Sequence, residues 1–186
     1  MWDPWGDGEK ARFQRAAGVN ILGNALKIAV VGATGLAFGS VALLADAAHS
    51  VADLVASAVV FVWGGSRYDA ADETHPHGHQ RIEPLTAVIV LLGVLLLRES
   101  VSELLGSPGV EADPILVMAL LFALVDMYLL YWYTERVNMT LGSTALTALA
   151  ADCLNDIYTT VAALVGVFAV LRGVPILDPV AGALVS

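Results

Sequence analysis

Asp46, His49 and Asp53 sit inside an otherwise apolar run from about Val41 to Trp63. Their spacings of three and four residues put all three on one stripe of a helix. An ionisable group at membrane depth costs roughly 2.5–3.5 kcal/mol on insertion scales and normally marks a substrate or ion path. A second apolar span carries Asp152, Asn155, Asp156 and Thr159 at i, i+3, i+4 and i+7. Imidazole nitrogen and carboxylate oxygen are the usual donors to zinc and its first-row neighbours. His49 and Asp53 are one helical turn apart, as are Asp152 and Asp156, and Asn155 and Thr159. Two such stripes facing each other in a bundle would hold a divalent cation. The carboxylates would offset its charge in a low dielectric.

Such a site couples to protons, because His and carboxylate ligands must be deprotonated to bind metal. His is the side chain that ordinarily titrates nearest physiological pH. Proton entry at His49 would then expel the ion, which is metal–proton antiport. The plainer alternative for His49 and Asp53 is a structural hydrogen-bonded pair. Asp46 is either a ligand or a residue that supports a neighbouring helix. Lys27 is expected to pair with an acidic side chain inside the bundle, and Asp126 to make a helix–helix contact. Cys153 turns off the polar stripe toward lipid or core.

The elements that must carry these residues are membrane helices. The chain has 186 residues, 58% of them hydrophobic and only 15% charged, and its mean hydropathy is +0.74. A soluble domain carries about 25% charge, so much of this surface faces lipid. The net charge of −9 excludes a nucleic-acid partner, which needs a basic face. The single cysteine excludes an intramolecular disulfide and a thiolate cluster within one chain. No cleavable signal peptide is visible at the start.

Residues 1–16 read as a cytoplasmic segment lying near the membrane surface, and residues 17–186 as a transmembrane domain. Spans are predicted at about 17–38, 41–63, 82–99, 114–133, 143–171 and 175–186. Asn20, Asn24 and Lys27 turn one polar face of the first span into the bundle. A polar loop with His75, His77 and His79 follows the second span. Glu135 to Gly142 is expected to be a short polar loop. The fold class is therefore an all-α, six-helix membrane bundle. Its sixth helix is about twelve residues long, short of the ~20 a spanning helix needs, and is expected to be truncated. Lys10, Arg12, Arg15, Arg67, Arg81 and Arg136 fall on one side of the membrane, which puts the amino terminus in the cytoplasm. Gly39-Ser40 leads into Ala-Asp-Ala-Ala-His, and Gly142-Ser143 precedes Ala-Asp-Cys-Leu-Asn. This weak internal echo sets two antiparallel spans with polar stripes near mid-membrane, where transporter sites lie.

Gly39-Ser-Val-Ala-Leu-Leu-Ala-Asp-Ala-Ala-His-Ser-Val-Ala-Asp53, followed by Asp72-Glu-Thr-His-Pro-His-Gly-His-Gln-Arg-Ile-Glu83, resembles the cation diffusion facilitator family of metal transporters. The resemblance extends to the Asn and Lys pattern of the first span, the Ala-Asp-Cys-Leu-Asn stretch and Leu177-Asp-Pro-Val-Ala-Gly182. It implies a six-helix membrane domain, a homodimer, and export of zinc, manganese, iron or a related ion in exchange for protons. It also implies a transport site with two ligands on the second span, at His49 and Asp53, and two on the fifth. It implies a loop site at Asp72, His75 and His79, and a dimer-locking charge at Arg81. Alignment puts the fifth-span ligands at Asn155 and Thr159, while Asp152 and Asp156 are the acidic alternatives on the same stripe. Asn155 with Asp156 is the favoured pairing. The family's cytoplasmic carboxy-terminal domain is not expected within these 186 residues. One imidazole among oxygen donors leans the choice of ion from zinc toward manganese or iron. The rival readings are a proton-coupled carrier or channel for a non-metal substrate and an intramembrane metal-dependent hydrolase. The chain has no His-Glu-x-x-His pattern to support the hydrolase, so it is read as a non-enzyme without a prosthetic group.

Overall fold

The structure is a computed structural model that describes residues 8–63, 110–111, 113–174 and 176–185. The predicted span at 82–99, the loop residues Asp72, His75 and His79, and Arg81 lie outside the described residues.

Among the described residues there are five helices, in chain order: α1 (Glu9–Phe38), α2 (Val41–Trp63), α3 (Pro114–Leu141), α4 (Thr144–Leu171) and α5 (Leu177–Val185). The first four are long and apolar enough to cross a membrane. α3 packs along α4, and α2 lies against α1, α4 and α5.

Two boundaries differ from expectation. α1 begins at Glu9 rather than near Ala17, because Phe13, Ala16 and Ala17 bury one face of its first turns. α3 runs to Leu141, through the stretch expected to be a polar loop. Nothing between Glu135 and Leu141 breaks a helix, and the chain first meets a glycine at Gly142. Thr134 and Asn138 keep the polar turns facing inward, where both are buried. Asn138 then stitches α3 to α4: its Oδ1 accepts from the Ser143 backbone N–H at 2.7 Å, and its Nδ2 donates to Thr147 Oγ1 at 2.8 Å.

The helix breaks are local. Gly39 and Gly142 close α1 and α3 with φ of 66° and 58°, a left-handed conformation that suits glycine. Each is followed by a serine that opens the next helix, so the internal echo is a repeated turn. α1 is interrupted by one π-helical stretch, Ile28–Gly32. A π-bulge widens the turn and re-aims the residues beside it, and Lys27 stands at its edge.

The core is layered along the bundle. One apolar cluster joins Val31, Leu43, Leu116, Leu120, Val167 and Ala181. Another joins Phe13, Ala16, Leu141, Leu146 and Leu149. Along α1 and α4, five buried polar residues fall between these two apolar clusters: Asn20, Asn24 and Lys27 on α1, and Asp156 and Thr160 on α4. They lie beside a small apolar cluster of Met127, Leu130 and Cys153.

Candidate metal centre

The polar layer is built around Lys27. Its Nζ lies 3.1 Å from Asp46 Oδ1 and 3.1 Å from Asp156 Oδ1. All three side chains are shut off from solvent. A charge in such a place persists only when paired. One ammonium from α1 thus ties a carboxylate of α2 to a carboxylate of α4. Asp46 is further held by Thr160, whose Oγ1 donates to Oδ1 at 3.0 Å with Oδ2 3.2 Å away, and by Thr159 Oγ1 at 3.4 Å.

One turn along α2, His49 and Asp53 turn toward the same carboxylate of α4. His49 Nε2 lies 4.0 Å from Asp53 Oδ2 and 4.0 Å from Asp156 Oδ1. The potential ligand atoms of His49, Asp53 and Asp156 all fall within 4.8 Å of one another. Among the described residues no hydrogen bond reaches Asp53 Oδ2, and Asp156 Oδ1 is met only by the Lys27 ammonium, although both atoms are buried. Buried carboxylate oxygens normally have donors; Asp53 Oδ2 lacks one, and Asp156 Oδ1 has only its ion pair with Lys27. Ligand atoms around a four-coordinate ion with bonds near 2.1 Å lie about 3.4 Å apart. The trio would have to contract by about 1 Å to hold one. His49 is 34% exposed and Asp53 15%, against 1% for Asp156, so the cluster is open on its His49 edge and closed at its floor.

Of the expected ligands among the described residues, His49, Asp53 and Asp156 are brought together, and Asp46, Asn155, Asp152 and Thr159 are not. Asp46 lies apart from the trio because Lys27 and Thr160 engage it. Asn155 is exposed on α4. The buried face of α4 runs through Leu149, Cys153, Asp156, Thr160 and Ala163, and Asn155 is one residue out of that phase. Asp152 is half-buried and stands outside the trio. Thr159 back-bonds to Asp156 O at 3.0 Å while reaching Asp46. Asp126 is half-buried, with Oδ2 unpartnered among the described residues.

Cys153 faces the core, where its thiol donates to Asn20 Oδ1 at 3.2 Å. Asn20 Nδ2 in turn donates to Thr134 Oγ1 at 2.7 Å and to Ala16 O at 2.9 Å.

Two residues of consequence are not evident from the sequence. Thr160 was hidden because a threonine in an apolar helix is unremarkable; its spacing of four from Asp156 is the one signal it gives. Asp178, at the start of α5, is 1% exposed and reaches across to the start of α2. Its Oδ1 accepts from Ser40 Oγ at 2.6 Å, and its Oδ2 accepts from the backbone N–H of Val41 at 2.7 Å and of Ala42 at 3.2 Å. This is an N-cap supplied by another helix, with a carboxylate at the positive end of the α2 dipole. It fixes the helix that presents Asp46, His49 and Asp53.

Comparison with known proteins agrees with this architecture. The model of the cation efflux transmembrane domain matches residues 18–186. Metal tolerance protein C1 of Arabidopsis thaliana is 34% identical over 175 residues, covering 82% of this chain and 37% of its own length. Magnetosome protein MamB of Magnetospirillum gryphiswaldense is 34% identical over 160 residues, covering 83% and 54%. The manganese efflux system protein MneP of Bacillus subtilis is 32% identical over 144 residues, covering 75% and 48%. The chain thus spans about half or less of the length of these relatives. With long apolar helices throughout and a polar layer buried between them, it is an integral membrane protein, and it belongs to the cation diffusion facilitator family through the cation efflux transmembrane domain that makes up nearly all of it.

Proposed function

We propose that this chain is the membrane domain of an exporter of divalent transition-metal ions, and that the ion is carried at His49, Asp53 and Asp156. The observation that carries the reading is the convergence of one imidazole nitrogen and two buried carboxylate oxygens from two helices, with Asp53 Oδ2 unpartnered among the described residues and Asp156 Oδ1 held only by Lys27. A divalent cation supplies the missing charge. One nitrogen and two oxygen donors form a harder set than two imidazoles. That favours manganese or iron over zinc, and a manganese efflux protein is among the relatives.

Export runs in exchange for protons. The same atoms bind either metal or protons, and loading an ion displaces the protons. The amino terminus is cytoplasmic, the ion enters from that side, and the working unit is a homodimer. Membership of the family supports these readings, and the excess of Lys and Arg at one set of helix ends supports the orientation.

Isothermal titration of Mn2+, Fe2+ and Zn2+ into the purified protein tests the site. One ion per chain should bind at the α2–α4 site, and Asp53→Ala should remove that binding event. Retention of wild-type affinity by that variant would remove α2 from the site. In proteoliposomes carrying a pH-sensitive dye, metal uptake should move protons the other way, and His49→Ala should uncouple the two. Unchanged proton movement in that variant would reject antiport through His49.

A further inference from the structure

Asp156 Oδ1 is claimed twice. It lies 3.1 Å from Lys27 Nζ and 4.0 Å from His49 Nε2, so the oxygen that completes the candidate ligand trio is also paired with an internal cation. Lys27 has a second anchor of equal length in Asp46 Oδ1. Asp46 is wholly buried and fixed by the Thr160 hydroxyl, and it stands outside the trio.

We propose that Lys27 is a tethered place-holder for the transported ion. Its ammonium occupies Asp156 while the site is empty and retreats onto Asp46 alone when a divalent cation enters. Lys27 is then a positioning residue that sets the affinity of the site, and Asp46 is the anchor that lets it withdraw. This rests on the reading of His49, Asp53 and Asp156 as the ion's ligands.

Three features support the assignment. An ammonium and a divalent cation cannot share one carboxylate oxygen without strong repulsion at low dielectric. A buried lysine cannot withdraw into hydrocarbon, and the 3.1 Å contact to Asp46 gives it a charged partner outside the trio. The widened π-helical turn begins at Ile28, so the backbone carrying Lys27 departs from the regular ladder at the place where its head must shift.

The test is a double-mutant cycle read by titration of Mn2+ at fixed pH and salt, with size-exclusion profiles confirming that each variant is folded. Lys27→Met removes the competitor and should tighten ion binding by about tenfold, the worth of one charge-assisted contact. Asp46→Asn leaves the ammonium only Asp156 and should weaken binding about tenfold, although Asp46 never meets the ion. In the Lys27→Met background, Asp46→Asn should have no further effect, because nothing remains to be anchored.

Weaker binding in both single variants would identify a merely structural ion pair and overturn the proposal. Additive effects in the double variant would reduce Lys27 to a distant charge and overturn it equally. If Lys27→Met does not fold, Lys27→Arg carries the test: a guanidinium grips Asp156 in two places and should weaken binding, so unchanged or tighter binding overturns the proposal. Asp53→Ala runs alongside. If it binds the ion as wild type does, the ligand assignment itself has failed; if it alone loses binding, the ligands stand and only the role of Lys27 is at stake.

Discussion

Asn155 and Asp156 are adjacent in the chain and about 100° apart around α4, and that angle decides which can meet α2. Asp156 is buried against Lys27 and near His49, while Asn155 is exposed. Asp156→Asn should therefore cost at least tenfold in metal affinity, since it removes a proposed charged ligand and leaves Lys27 without half its pairing. Asn155→Ala should leave affinity within about twofold, as surface changes usually do. Titration of both variants checks the pair. Equal losses would mean that α4 turns in the loaded protein. The sequence exposed the i, i+4 relation of His49 and Asp53 and the inward face of Asn20, Asn24 and Lys27, because ions and amides stand out against hydrocarbon. It did not reveal the phase of α4. Leu154, Tyr158 and Val161 on its outer face are as apolar as residues of its inner face, so hydropathy cannot tell the two sides apart. The better signal is size: the inner positions Ala150, Cys153, Thr160, Ala163 and Gly166 are small, as close-packed membrane interfaces require.

Between helices, two contacts hold the scaffold that presents the ligands. The first is the carboxylate of Asp178 on the end of α2. Asp178→Ala should destabilise the protein by about 1–3 kcal/mol, the combined worth of a lost cap and unpaired buried donors. Asp178→Asn keeps an acceptor and should cost less. Thermal unfolding in detergent orders the three proteins, and a loss in neither variant would show that Ser40 caps α2 unaided. The second contact is the approach of α5 to α4 at Gly166. A Cβ there would lie 2.6 Å from Ala181 Cβ and 3.1 Å from Leu177 O. Gly166→Ala must push the helices apart, and its unfolding temperature should fall. At Gly18 the nearest atoms are the Phe61 ring at 3.5 Å and beyond. Gly18→Ala has room and gains helix propensity worth about 0.5–1 kcal/mol, so its unfolding temperature should hold or rise. Neither contact was legible in advance. Ser40 and Asp178 are separated by 138 positions, and a carboxylate near a helix start reads locally as that helix's own cap. The extents of α1 and α3 were underestimated for a related reason. Hydropathy marks where lipid begins, whereas a helix ends where its hydrogen bonds do, and Gly8 and Gly142 lie beyond the apolar stretches.

Across the whole bundle, the polar layer is cross-linked at Lys27 but left short of charge at His49, Asp53 and Asp156. An ion bound there would join α2 to α4 by bonds that no apolar contact replaces. Because the trio exists only when those helices are packed, binding stabilises the folded protein by mass action, by about 2.7 kcal/mol at a hundredfold excess over Kd. The unfolding temperature in detergent should therefore climb with added Mn2+ and keep climbing logarithmically past saturation. Asp53→Ala and Asp156→Asn should flatten the response. Asp178→Ala should lower the starting temperature yet retain the slope, because it loosens the frame without touching a ligand. A slope that survives in Asp53→Ala would mean that the ion acts elsewhere on the molecule, and a slope absent from wild type would leave the trio without the ion proposed for it.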